Sequence, residues 1–250
     1  MLDEKNELIL ETCLLAGKIM IENNAEMYRI ENTMERIAIT SGNNHLVSFV
    51  TQTGLFVGFD NTSSMKMAKI LHRTIDLESI SKVNDLSRNY SAGNFSLEEL
   101  LNKLKKLEDK KASFSLQLII FCAAILSATI MVLFGGKLSD CPITFLIGYF
   151  SYTIYHYSSK ILHINFLPEF IASLFISAAT ILCVKLNFGS NQDMIIIGCI
   201  MPLVPGGQIT NSIRDLVVGH YLSGVSRGAE AAMIAFAIGL GVAINFQFFY

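Results

Sequence analysis

Asn211, Arg214 and Asp215 stand three and four residues apart in the stretch Met201-Pro202-Leu203-Val204-Pro205-Gly206-Gly207-Gln208-Ile209-Thr210-Asn211-Ser212-Ile213-Arg214-Asp215-Leu216. On a helix that spacing puts an amide, a guanidinium and a carboxylate on one face. Such a face suits a small carboxylate-bearing solute. The guanidinium can fork onto the carboxylate, and the amide and Thr210 offer hydrogen bonds. As neighbours, Arg214 and Asp215 point about 100° apart, so they need not pair with each other. Asp215 is then read as the group that couples protons or orients Arg214. Pro202, Pro205, Gly206 and Gly207 interrupt the apolar run that enters this stretch, because proline removes a donor and paired glycines bend cheaply. A half-helix beginning after Gly207 would aim free N–H groups at an anion. The substrate-binding set expected from this reading is Pro205, Gly206, Gly207, Thr210, Asn211 and Arg214, with Asp215 and Glu169 as coupling carboxylates. Two alternatives stand beside it. Arg214 and Asp215 can lie at a membrane interface with the arginine snorkelling, and Glu169, after Pro168, can be an interfacial first-turn acid. Glu230 has the same two readings as Glu169. His156, among tyrosines, reads as packed or interfacial.

The elements that must carry these groups lie in apolar surroundings. Of 250 residues, 52% are hydrophobic and only 16% charged, and the mean hydropathy is +0.47. A soluble domain carries about a quarter charged residues. The deficit falls after Lys110-Lys111-Ala112, which divides a charge-rich domain, 1–112, from a transmembrane domain, 113–250. A net charge of -2 gives no basic footprint for nucleic acid. Five scattered cysteines without a CxxC pair read as small buried hydrophobes. No nucleophile–base spacing, metal signature or phosphate loop appears, so no enzyme, metal or cofactor is expected. Glu22, Glu26, Arg29, Glu31, His72 and Arg73 read as solvated or structural ion pairs. His45 and His72 could meet across a sheet.

Along the chain, helical spacing predicts helices over 4–23 and 25–40, the first with Leu8, Thr12, Leu15 and Ile19 on its inner face. A change to alternating β-branched and aromatic residues predicts strands at 45–51 and 55–59, with a third within 65–75. Two more helices follow, near 78–91 and 96–111, the latter opened by a Ser96/Glu99 capping box. Apolar runs then predict spans at 114–134, 141–159, 166–184, about 193–217 (the broken one) and 229–249. The fold class is thus an α-helical polytopic membrane protein of about five spans, one broken by Pro/Gly, with a small N-terminal α+β cytosolic domain. Three acids and one lysine in the first seven residues have the wrong sign for a signal peptide. Lys103, Lys105, Lys106, Lys110 and Lys111, before the first span, predict a cytosolic N-terminal side.

The segments Leu14-Leu15-Ala16-Gly17 and Ala25-Glu26-Met27-Tyr28-Arg29-Ile30-Glu31 resemble the start of the threonine/serine exporter family. The run 201–207, then Asn211-Ser212-Ile213-Arg214-Asp215, Gly219-His220-Tyr221-Leu222-Ser223-Gly224 and Arg227-Gly228-Ala229-Glu230-Ala231, resembles that family's most recognisable stretch. Full-length members fuse two membrane halves. This chain is similar to the branch in which a longer subunit works with a small separate membrane subunit. The resemblance implies ion-gradient-driven export of threonine/serine-type amino acids or of dicarboxylates such as succinate, from the cytoplasmic membrane. It implies membrane lipid, a small-molecule substrate and that small subunit as partners, and it leaves a homo-oligomer open. The rival class is a membrane-anchored hydrolytic enzyme, for which one span and no polar break would suffice. A regulatory or scaffolding subunit is a third reading.

Overall fold

The computed structural model describes residues 2–61, 64–109, 114–162 and 164–249. The proposed boundary at 110–112, with Lys110 and Lys111 of the basic cluster, lies outside them. The chain divides into two compact units, one of residues 1–112 with 210–228, the other of 113–209 with 229–250. The charge shift at 112 had placed 210–228 with the apolar half; the structure groups that stretch with the N-terminal residues.

In the first unit, α1 (Leu2–Glu22) and α2 (Met27–Thr40) form a helical pair, followed by β1 (Leu46–Val50), β2 (Gly54–Phe59) and β3 (Met65–Lys69). The strands make an antiparallel sheet of order β1-β2-β3, with Phe49 opposite Phe56 and Phe56 opposite Met67. Helices α3 (Leu77–Ser91) and α4 (Leu97–Asp109) close the unit. The stripe Met27, Ile30, Met34, Ile37 and Ala38 of α2 is buried throughout. Of the expected inner face of α1, Thr12 and Ile19 are buried, Leu8 and Leu15 are only half-buried, and Ile9, Cys13, Ala16 and Met20 are buried as well. The reason is that α1 is packed on several sides, touching α2, α3, α4 and the sheet, so one stripe cannot describe it. His45 Nδ1 lies 3.1 Å from Asp60 and is not placed against His72.

The caps follow local chemistry. Ser96 N–H donates to Glu99 Oε2 at 2.9 Å and Glu99 N–H to Ser96 Oγ at 3.2 Å, forming the capping box. Asp76 caps α3, accepting from the N–H groups of Glu78 and Ser79 at 2.9 and 3.1 Å and from Ser79 Oγ at 2.6 Å. Partial burial pushes the Asp76 carboxyl up, but these hydrogen bonds outweigh it and hold it below the ordinary aspartate range. Its contribution is therefore present above that range and lost as pH falls through the folded value. Asp76→Ala is expected to cost about 1 kcal/mol at neutral pH, with the difference from wild type vanishing in strong acid. Denaturant melts of both forms at several pH values check this.

The second unit holds α5 (Leu116–Leu133), α6 (Cys141–Leu162), α7 (Leu167–Lys185), α8 (Gln192–Ile200), the start of α9 (Gly206–Val218) and most of α10 (Tyr221–Phe249). By length and composition α5, α7 and α10 can each cross a membrane, and a fourth crossing arises if α8 and α9, bent by 61° at their break, count as one. Five were expected. Helix α6 is long enough, but its second half, Tyr149 to Lys160, carries tyrosines, hydroxyls and His156, and it does not qualify. The core joins an apolar cluster, including Ile147, Ile176, Ile195 and Ile234, to buried Ser127, Thr144, Ser151, Ser173, Ser177 and Thr180. Small residues let membrane helices approach closely. Asp140, also buried, accepts from the N–H groups of Ser190 and Asn191 at 3.1 Å each, tying the α5–α6 connection to the start of α8. The five cysteines are free; Cys13 and Cys199 are buried as expected, whereas Cys122 is exposed on α5.

Candidate functional site

The helix break sits at Val204–Pro205. Val204 is extended (φ -66°, ψ 130°), as a residue before proline must be. Helix α9 starts at Gly206, one residue before the expected start after Gly207. A side chain at Gly206 would meet nothing within 4 Å, and its backbone is not left-handed. Proline, rather than glycine freedom, accounts for the break at this point. Pro205, Gly206 and Gly207 lie at this break, and Thr210 follows one turn into α9.

Residues 211–227 bring the polar groups together within the first unit. Helix α9 ends in a tight turn at Gly219 (φ 100°), where His220 N–H donates to the Asp215 carbonyl at 2.8 Å. Ser212 Oγ then donates to the Gly224 carbonyl at 2.7 Å, fastening α9 to the first turn of α10. Against this hairpin lies the α1–α2 turn, whose Asn24 is left-handed (φ 67°), a conformation asparagine tolerates better than most residues.

The three residues singled out on α9 meet that turn side by side. Asn211 Nδ2 donates to the Asn24 carbonyl at 3.0 Å. Arg214 Nη1 pairs with Glu26 Oε1, and Arg29 Nη2 reaches Glu26 Oε2 at 3.3 Å. Asp215 Oδ1 accepts from Met27 N–H at 3.2 Å. Its other oxygen meets Arg227 Nε at 3.1 Å, with the two side chains 0% and 1% exposed. Arg227 also donates through Nη2 to the Ala25 carbonyl at 2.8 Å and through Nη1 to Asn24 Oδ1. With its amide oxygen turned to the guanidinium, Gln52 accepts from Arg227 Nε and Arg73 Nη1 at 3.2 Å each, and it donates to Ser226 at 3.0 Å. One arginine of α10 thus links α9, the α1–α2 turn and the β1–β2 connection. His220 Nε2 stands 3.6 Å from Glu31 Oε2. Partial burial pushes the Glu31 carboxyl above its ordinary range, though His220 opposes this.

The site was partly visible in advance. The face of Asn211, Arg214 and Asp215 was read from spacing. In the sequence Arg227 stands out only as part of the stretch that resembles the exporter family, and Glu26 and Arg29 read as solvated or structural ion pairs. The meeting of the α1–α2 turn with Arg214 and Arg227 has no local signal, since Glu26 is 188 positions from Arg214 and Asn24 203 from Arg227. Glu169 lies elsewhere, in the first turn of α7 after Pro168. Its Oε2 is buried with no hydrogen-bond partner among the described residues. Glu230 belongs to the same unit as Glu169. Among the described residues, no three His, Cys, Asp or Glu side chains gather to hold a metal.

Several helices long and apolar enough to cross a bilayer, joined to a small unit with a three-stranded sheet, define a polytopic membrane protein. The chain belongs to the ThrE family, described as "Putative threonine/serine exporter", whose model matches residues 11–249. No curated protein and no solved structure matches it. The family is one of transporters, and it makes this chain a membrane exporter of the threonine/serine type.

Proposed function

We propose that the chain is the longer subunit of an ion-gradient-driven exporter for small carboxylate-bearing solutes, either threonine/serine-type amino acids or dicarboxylates. A small separate membrane subunit completes it, and residues 1–112 lie in the cytosol. The observation that carries the reading is the pairing of Arg214 with Glu26. The arginine side chain is 47% exposed, whereas Glu26 is largely buried and is shared with Arg29. Glu26 stands where a solute carboxylate would sit, and a carboxylate arriving from solvent can exchange with it. Asn211 and Thr210 supply hydrogen bonds one turn away. Pro205, Gly206 and Gly207 enter as the break from which α9 starts. Of the two roles open to Asp215, orientation is favoured, because Arg227 and the Met27 N–H both hold it. Glu169, with a buried unpartnered oxygen, is the better candidate for carrying the coupling proton.

Efflux of labelled threonine and succinate from vesicles containing the chain and its small partner tests this. Arg214→Ala is expected to lower efflux at least tenfold, about 1.4 kcal/mol of lost interaction, and Arg214→Lys to recover part of it, since a point charge replaces a fork. Undiminished efflux from Arg214→Ala would remove this residue from the mechanism.

A further inference from the structure

We propose that the cleft between α2 and α3 binds a small multivalent oxyanion that also carries a hydrogen-bond donor. The proposal concerns a second place in the first unit and does not depend on the export reading. The cleft has a volume of about 710 Å³, within the usual range for small-molecule sites. One wall is α2. Its buried stripe faces the core, while Arg29, Asn32 and Arg36, three and four residues apart, line the cleft. The other wall is α3, which contributes Asn84 and Arg88, again one turn apart. The walls are joined by Thr33 Oγ1, which donates to Asn84 Oδ1 at 3.2 Å.

The charges do not cancel there. Arg29 is engaged by Glu26, but among the described residues neither Arg36 nor Arg88 has a carboxylate in ion-pair range. Arg36 on α2 and Arg88 on α3 thus bring positive charge to both walls of one cleft, where an entering anion can meet each. Each offers a planar fork suited to carboxylate or phosphate. Asp85, which also lines the cleft and is in no ion pair among the described residues, adds an acceptor. A hydroxyl or amino group on the ligand can donate to it, which a bare inorganic anion cannot. Glu26 and Asn211 border the same cleft. An anion that draws Arg29 away would therefore leave Glu26 to Arg214 alone, which gives occupancy a route to the α9 face.

Equilibrium binding to the full chain purified in detergent, in low-salt buffer, tests the assignment with citrate and ADP as probes and L-threonine as the single-carboxylate control. Citrate or ADP is expected to bind with Kd below about 1 mM and at least tenfold more tightly than threonine. That binding should weaken as salt is raised. The Arg36→Ala/Arg88→Ala variant should lose at least tenfold, while Lys82→Ala, on α3 but outside the cleft, keeps wild-type affinity. Both replaced side chains line an open cleft rather than the core, and an unchanged melting temperature certifies the fold. Three results would each overturn the proposal: no binding of either polyanion below that limit, threonine binding as tightly as they do and losing that affinity in the double variant, or equal polyanion affinity in the double variant. Binding that divides citrate from ADP tells a carboxylate ligand from a phosphate one. Failure here leaves the Arg214 efflux result untouched, so the two readings fall separately.

Discussion

Arg227→Ala is expected to destabilise the first unit by about 3–5 kcal/mol, the cost of removing one partner from a buried ion pair. Against a typical total stability of about 5–15 kcal/mol, that is enough to deplete folded protein. The guanidinium is 1% exposed and Asp215 is fully buried, so solvent cannot replace what is removed. Among the described residues Asp215 would keep the Met27 N–H as its side-chain hydrogen-bond donor, and the Ala25 carbonyl and the Asn24 side chain would lose the donor Arg227 gives them. Asp215→Ala should cost a similar amount by removing the carboxylate that faces the buried guanidinium. Replacing both, as Asp215→Leu/Arg227→Met, should recover part of the loss. Apolar substitution of a complete buried pair is often close to neutral, but the acceptors in the α1–α2 turn stay unsatisfied. Melting in detergent followed by circular dichroism, with yield of monodisperse protein as a second readout, measures all three. An Arg227→Ala protein that melts at the wild-type temperature would show that this pair does not hold the hairpin of α9 and α10 to the α1–α2 turn.

This pair marks where reading residues in order stops. Periodicity located the helices and strands because each leaves a local trace: alternation in β1 and β2, the Met27–Ala38 stripe of α2, the Ser96/Glu99 box. The α9 face was legible for the same reason, since three positions on one helix need no knowledge of the rest of the chain. Its partners were not. Arg227 is twelve residues from Asp215, and a left-handed glycine turn returns it to that carboxylate. Asn24, Glu26 and Met27 arrive from the far end of the chain. A hydropathy profile also sees a span starting at Ala229, whereas α10 begins at Tyr221, because a helix carries through Arg227 once its charge is satisfied. In α6 the length is that of a crossing, but the tyrosines and hydroxyls of its second half make it less apolar than α5, α7 and α10.

Gly241→Ala is expected to force apart α7 and α10 in the second unit. A Cβ at 241 would stand 2.1 Å from Ser173 Oγ, 2.6 Å from the Phe170 carbonyl oxygen and 3.0 Å from Leu174 N. The serine hydroxyl can rotate away, though it would give up its 2.9 Å bond to the Phe170 carbonyl. The backbone of α7 cannot, so α7 and α10 must move apart and loosen every contact along their seam. Overpacking of this kind costs about 1–3 kcal/mol and at times more, and Gly241→Leu should exceed that range. Adding Ser173→Ala should rescue Gly241→Ala only partly, because the Phe170 carbonyl remains in the way. The neighbouring hydrogen bonds make the comparison informative. Asn245 Nδ2 donates to the Leu174 carbonyl at 2.8 Å and to Ser177 Oγ at 2.7 Å across the same seam, yet polar links between membrane helices average only about 0.6 kcal/mol. If close backbone approach governs the seam, the melting temperature should fall more for Gly241→Ala than for Asn245→Ala. The opposite order would assign the seam to its hydrogen bonds, with the small residues there merely permitting them.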